Sequence, residues 1–151
     1  RRLVIENDET SYSVRDCLWI HERIGVPIVF DHQHHRLNTG DMEVAEAARA
    51  ALGTWPAGVV PKIHFSSARL DARQVGRGRS TRLEPPILRQ HADFVDPWTF
   101  ADLMHALRDR DFDVMVEAKA KDLAVIKLRS DLRGLGREDA LRAPAPHPRA
   151  A

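Results

Sequence analysis

The chain has 151 residues, 43% of them hydrophobic and 30% charged, which is typical of a globular domain with its own core. Its formal net charge of +1 does not indicate a nucleic-acid or membrane partner, so any such surface must be local. The single cysteine, Cys17, excludes an internal disulfide and a cysteine-based zinc cluster, and we predict a buried core thiol there. No signal peptide is recognised and no apolar run approaches the ~20 residues of a membrane span, which predicts a cytoplasmic protein without membrane contact.

Four short apolar runs predict the strands of a sheet, at residues 3–6, 27–31, 61–65 and 113–117. They are apolar on both faces, as buried parallel strands are. The first run begins almost at the start of a chain that lacks an initiating Met. We therefore expect the sequence to be a fragment of a longer protein.

Helical patterns follow the strands. Ser13 is predicted to cap the first helix, which ends at Gly25, and Asp41 to cap the second, which ends at Gly53. A third helix is expected to begin at Asp96-Pro97, with an apolar stripe formed by Phe100, Leu103, Met104 and Leu107. In a fourth helix, after the last strand, the residues predicted to face inward are Leu123, Ile126 and Leu128.

The alternation of strand and helix predicts an α/β fold with a parallel sheet and right-handed crossovers. A TIM-type (β/α) barrel needs about 250 residues, so the four βα units amount to about half of such a barrel. We predict one domain over residues 1–133 and a disordered, Ala/Pro/Arg-rich tail over residues 134–151.

The segment from Ala68 to Gln90 interrupts this pattern. It contains Gly76, Gly78 and Pro85-Pro86, which predict irregular structure. Its arginines either pair with DNA phosphates or lie on a solvated, disordered loop, and both interpretations stay open. The candidates for DNA binding are Arg69, Arg73, Arg77 and Arg79.

Residues that can ionise or bind metal stand at or near the carboxyl ends of the four predicted strands: Glu6, Asp31, His64 and Glu117. Active sites of TIM-type barrels lie at that end. His34 follows Asp31 in a D-x-x-H arrangement, and His91 lies in the long loop before the third helix. Carboxylates and imidazoles without thiolate suit Mn, Zn or Fe, so these six residues predict a metal site.

Lys62 shares a strand face with His64, because side chains alternate along a strand. If the Lys62 amine lies beside bound metal ions and is poorly solvated, its charged form is disfavoured. It either contacts phosphate or is deprotonated, and a carbamylated lysine is one version of the second alternative.

Five strings of the sequence resemble the UV-damage endonucleases, which are relatives of endonuclease IV. They are RLVIEND at 2–8, VFDHQHH at 29–35, PKIHFSS at 61–67, HAD at 91–93 and DFDVMVEAKAKDLA at 111–124. They occur in the family's order, and the resemblance extends from Arg2 to about Leu132.

This resemblance implies the carboxyl-terminal half of a TIM-type barrel that holds divalent metal ions, commonly Mn²⁺, with Zn²⁺, Mg²⁺ and Co²⁺ as alternatives. It also implies nicking of damaged double-stranded DNA on the 5′ side of UV photoproducts and other distorting lesions, by a full-length protein expected to be monomeric. The implied metal ligands are Glu6, Asp31, His34, His64, His91 and Glu117. We assign catalytic roles to Glu6, Lys62 and Glu117, and place Asn7 beside the site.

Two alternatives remain. The same barrel and metal set serves sugar isomerases, although that similarity is one of fold only. Alternatively, the chain is a catalytically incomplete fragment whose open sheet edges only promote association.

Overall fold

The structure of the protein is a computed structural model that describes residues 3–141. The strands are β1 (Ile5–Glu6), β2 (Ile28–Asp31), β3 (Lys62–Phe65), β4 (Arg73–Val75), β5 (Arg82–Glu84) and β6 (Asp113–Val116). The helices are α1 (Val14–Ile24), α2 (His32–Leu37), α3 (Val44–Leu52), α4 (Pro97–Ala106) and α5 (Asp122–Gly134).

Four of the strands form one parallel sheet in the order β1-β2-β3-β6. Its register pairs Asp31 with His64 and Phe65 with Val116. The α/β class and the parallel sheet are therefore confirmed. Within residues 3–141 the sheet is open, with β1 and β6 at its edges, and it does not close into a barrel.

The hydrophobic core lies between one face of the sheet and the helices. Ile28 and Phe30 of β2 and Ile63 and Phe65 of β3 are all fully buried there. The ring of Phe65 stacks on the His32 ring, with centroids 4.7 Å apart, and meets the Phe100 ring edge-on at 5.1 Å. The opposite face carries the alternate side chains, among them those of Lys62 and His64, which are only partly buried.

Local capping signals place the first and third predicted helices correctly. Ser13 forms a capping box with Asp16, and Gly25 ends α1 in the left-handed conformation at φ +66°. Asp96 accepts hydrogen bonds from the backbone N–H groups of Trp98 and Thr99 at the start of α4. The prediction for α3 was wrong at its start: Glu43 is the N-cap residue, and Asp41 precedes it with a φ of +58°.

Two further predictions were wrong. Leu123 and Ile126 are 59% and 62% exposed, whereas Leu128 is buried as predicted, because α5 turns Ala124, Leu128 and Leu132 toward the core. The segment after Ala68 is not irregular throughout, since β4 and β5 pair as an antiparallel hairpin with a 3-10 turn at Gly78–Ser80. Gly76 permits that turn at φ +94°, where an added Cβ would clash with the backbone oxygen of Ser80.

The predicted tail begins inside α5, which ends at Gly134. A 3-10 helix follows at Glu138–Leu141, and residues 142–151 lie outside the described part of the chain. The longest described helix has 13 residues, and none between residues 3 and 141 could span a lipid bilayer.

Cys17 is buried in the core, as predicted. Burial raises the pKa of its thiol to about 11, so at pH 8 only about one chain in 1,000 carries the reactive thiolate. We expect almost no reaction with Ellman's reagent in the native protein and one reacting thiol per chain in urea. Rapid, complete labelling of the native chain would contradict this, and Cys17→Ser provides the blank.

Candidate metal centre

The six predicted ligands come together at one end of the sheet. Parallel strands β1, β2, β3 and β6 present their carboxyl ends on the same side, which brings Glu6, Asp31, His64 and Glu117 close together. Potential ligand atoms form two sets, within each of which all the atoms lie within 4.8 Å of one another, and Asp31 belongs to both sets. The first set consists of Glu6, Asp31 and His34, and the second consists of Asp31, His64 and Glu117.

Asp31 is the most buried of these residues and has no accessible surface. One oxygen, Oδ1, accepts a 2.7 Å hydrogen bond from the backbone N–H of His34 at the start of α2. Among the described residues the other, Oδ2, is buried without a hydrogen-bond partner. Burial raises the pKa of this carboxyl group, and the nearby carboxylates Glu6 and Glu117 raise it further. A buried carboxylate oxygen in this state is the kind of atom that a cation would satisfy.

His64 lies between two carboxylates. Its Nδ1 is 3.1 Å from Oε1 of Glu6 and 3.4 Å from Oε1 of Glu117. The hydrogen bond with Glu6 raises the pKa of His64, while burial opposes this rise. The ring and both carboxylates can therefore share one cation, whether a proton or a metal ion.

His34, on α2, and His91, in the segment before α4, complete the set of six predicted ligands. The Nδ1 atom of His34 lies 3.6 Å from Oε1 of Glu6 and 3.7 Å from Oδ1 of Asp31. His91 Nδ1 lies 3.9 Å from Oε2 of Glu117, on a segment held by an antiparallel bridge to Ala68. Each of the six predicted ligands is thus within 4 Å of another by its side-chain atoms.

Two residues of the strand-to-helix loop after β1 support the centre. Asn7 is fully buried. Its side-chain amide accepts a hydrogen bond from the Asp31 backbone N–H and donates one to the Asp31 carbonyl. The backbone carbonyl of Asn7 lies 3.0 Å from Nδ1 of His34. Glu9 was not singled out from the sequence, yet its Oε2 lies 3.8 Å from Nε2 of His34. Glu9 follows no strand directly, so its proximity could not be inferred from strand ends.

Lys62 lies on the same face of β3 as His64, and both line a cavity of about 770 Å³ together with Glu6 and Met115. The sheet face carrying the ligands therefore continues into a partly apolar cavity whose lining includes Lys62.

The four predicted DNA-binding arginines are distributed along the hairpin and its base. Arg73, on β4, lines an open groove together with His91, Glu117, Lys119 and Lys121. Arg77 and Arg79 are exposed at the turn of the hairpin, while Arg69 is at its base and donates its backbone N–H to the Gln90 carbonyl. Arg73 therefore borders a groove that also contains the predicted ligands His91 and Glu117.

Comparison with known proteins identifies the family. The model of the UV-endonuclease UvdE family matches residues 1–142, which is almost the whole chain. The chain belongs to the UvdE family. The site residues therefore lie within a segment that the family model covers completely.

Curated UvdE relatives are similar over most of this chain. The UV DNA damage endonuclease of Bacillus pumilus (strain SAFR-032) is 35% identical over 138 residues, which is 89% of this chain and 39% of the relative. The UV DNA damage endonuclease of Bacillus mycoides (strain KBAB4) is 31% identical over 91% of this chain and 41% of its own length. The crystal structure of SacUVDE superposes with a TM-score of 0.67 at 29% identity, covering 90% of this chain and 41% of that one. The chain thus spans about two fifths of the length of its relatives.

Proposed function

We propose that this chain supplies the metal-binding part of a DNA-repair endonuclease that nicks double-stranded DNA 5′ to UV photoproducts and other distorting lesions. The observation that carries the proposal is the six-residue cluster around the unpartnered Oδ2 of Asp31, in a member of the UvdE family. The similarity to proteins named UV DNA damage endonucleases supplies the reaction and the substrate. The sugar-isomerase alternative has no comparable support from the family match.

The ligand atoms, all carboxylate oxygens and imidazole nitrogens, fit a divalent metal such as Mn²⁺, with Zn²⁺, Mg²⁺ and Co²⁺ as alternatives. The proposed ligands are Glu6, Asp31, His34, His64, His91 and Glu117. Bound metal would polarise the phosphate and lower the pKa of an attacking water. Asp31 is common to both ligand sets, and Glu6, within 3.6 Å of both His34 and His64, would hold metal together with these histidines.

Glu6, Lys62 and Glu117 are proposed to take part in catalysis. Glu6 and Glu117 flank the His64 ring from opposite strands, β1 and β6, so each can orient it while binding metal through a carboxylate oxygen. Lys62 lines the same cavity as Glu6 and His64, from where its amine can contact a phosphate or, if deprotonated, the metal centre.

The sheet is proposed to be part of a TIM-type barrel, with the remaining strands corresponding to the portion of the relatives that this chain does not match. Exposed apolar side chains lie on the helices that follow both edge strands in the described part of the chain. Trp19 and Ile24 lie on α1, which follows edge strand β1, and Leu123 and Ile126 lie on α5, which follows edge strand β6. Met115, on the ligand-bearing face of β6, is 46% exposed, and such apolar surface is normally covered by further structure.

The direct test is nicking of a UV-irradiated duplex with added Mn²⁺, by this chain and by the full-length Bacillus pumilus relative, together with measurement of bound metal. Incision 5′ to photoproducts by the relative alone would support the function and show that the chain requires the remaining strands. Absence of both bound metal and nicking in the two proteins would overturn the proposal. Sugar isomerisation by either would favour the alternative.

If the hairpin binds DNA through its arginines, neutralising these arginines is expected to make the affinity for DNA less dependent on salt concentration. We expect Arg73→Gln, Arg77→Gln and Arg79→Gln together to lower the slope of log affinity against log salt by about 2 to 3, since each phosphate contact contributes about 0.9. Fluorescence anisotropy of a labelled duplex measures the slope. The control neutralises three exposed arginines elsewhere, Arg110, Arg129 and Arg133. Equal slopes in both triple variants would rule out a specific role for the hairpin.

A further inference from the structure

One buried amide side chain joins three segments that carry proposed ligands. Gln33, the second residue of α2, is 3% exposed. Its Nε2 donates a 2.8 Å hydrogen bond to the backbone carbonyl of Leu88, and its Oε1 accepts a 2.6 Å hydrogen bond from the hydroxyl of Ser66. Both ends of the amide are therefore paired, across 55 and 33 residues of sequence.

The segments joined in this way surround the metal centre. Gln33 lies between Asp31 and His34, Ser66 follows His64 by two residues, and Leu88 precedes His91 by three. Further backbone hydrogen bonds continue the connection, from Ala92 N–H to the Ser67 carbonyl and from Arg69 N–H to the Gln90 carbonyl, each 2.8 Å long. The base of the β4–β5 hairpin and the His91 loop are thus attached to the sheet through a short set of polar contacts.

The chemistry of the position favours glutamine over other side chains of similar size. An apolar side chain would leave the buried Ser66 hydroxyl without this acceptor and would remove the hydrogen bond to the Leu88 carbonyl. A glutamate could accept from Ser66 but would oppose the Leu88 carbonyl with a second acceptor. The glutamine amide provides both a donor and an acceptor on one planar group.

We propose that Gln33 is a positioning residue, which holds the His91 loop and the base of the arginine hairpin in register with Asp31, His34 and His64. The consequence for metal binding rests on the proposed function, whereas the consequence for the loop does not. His91 reaches Glu117 at 3.9 Å from a segment outside the parallel sheet, so its distance from the other ligands depends on how that segment is anchored.

The test is Gln33→Glu, which retains size and the acceptor for Ser66 but removes the donor to Leu88. Hydrogen exchange, read by NMR in the metal-free chain, is expected to be about tenfold faster at the amides of Arg69, Gln90 and Ala92, with α5 unchanged. Mn²⁺ affinity, measured by titration, is expected to fall about 10- to 100-fold, as for other residues that orient ligands. Ser66→Ala, which removes only the other hydrogen bond, serves as a second variant if Gln33→Glu does not fold.

The matched control is Thr54→Val, at a buried polar residue of similar connectivity. The Thr54 hydroxyl accepts from the Ile28 N–H and donates to the Ala51 carbonyl, and neither partner belongs to the proposed site. If the control accelerates exchange in the His91 loop as much as Gln33→Glu does, general destabilisation explains the effect and the proposal fails. Wild-type exchange in the loops of both Gln33→Glu and Ser66→Ala also overturns it. A wild-type chain that binds no Mn²⁺ would instead count against the proposed metal function, while the exchange comparison still decides the role of Gln33.

Discussion

Glu117→Gln and His64→Ala are each expected to reduce nicking of UV-irradiated DNA by roughly 1,000-fold, while affinity for the duplex changes by less than about threefold. A metal ion contributes several kcal/mol to stabilising the transition state, and about 1.4 kcal/mol corresponds to a factor of ten. His64 Nδ1 lies 3.4 Å from Glu117, so either change removes a ligand at the same point of the cluster. DNA affinity should persist, because phosphate contacts made by arginines and lysines dominate it.

This comparison is best made both in the present chain and at the matched positions of the full-length Bacillus pumilus relative. Steady-state nicking and bound metal are measured for each protein, and anisotropy reports duplex binding. Glu138→Gln and His105→Ala are matched controls, since both residues are exposed. Nicking at the wild-type rate by both site variants would defeat the assignment of these ligands.

Phe65→Ala is expected to lower the free energy of unfolding by about 3 to 5 kcal/mol, the usual cost of removing a buried aromatic ring. The side chain is fully buried and packs against the rings of His32 and Phe100. Because a domain of ordinary stability has about 5 to 15 kcal/mol in total, this loss would be a large share of it. Urea unfolding followed by circular dichroism measures the change.

Phe94→Ala is the control for this substitution, because the Phe94 side chain is 41% exposed and its removal should cost less than about 1 kcal/mol. A loss below 1 kcal/mol for Phe65→Ala, or equal losses for the two variants, would mean that the sheet-to-helix core is not the main source of stability.

Local sequence patterns were sufficient to predict the helix ends and strands that are determined by a few neighbouring residues. Ser13, Gly25 and Asp96-Pro97 predicted helix ends that the structure contains, because capping satisfies backbone groups only two or three positions away. The four apolar runs predicted the four parallel strands, although among the described residues only β2 is buried on both faces. Helix α2 was missed, because its sequence, HQHHRL, is short and has no apolar stripe.

Predictions failed where distant partners decide the outcome. Leu123 and Ile126 fit an apolar helical face, yet the rotation of α5 about its axis is set by contact with the core through Leu128 and Leu132. The glycines and prolines of residues 68–90 indicated irregular structure, but pairing between Arg73 and Glu84 produces a hairpin. Propensity is a weak prior when tertiary contacts are available.

For the candidate centre, the sequence by itself determined which residues stand at the ends of strands, because an ionisable residue after an apolar run is visible without coordinates. It also determined the α/β class and the family resemblance. Only the tertiary structure decided that Asp31 Oδ2 is buried and unpartnered, that Glu9 approaches His34, and that Gln33 joins Ser66 to Leu88. These features depend on distances between segments far apart in the chain, which are fixed by packing of the whole sheet rather than by any local pattern.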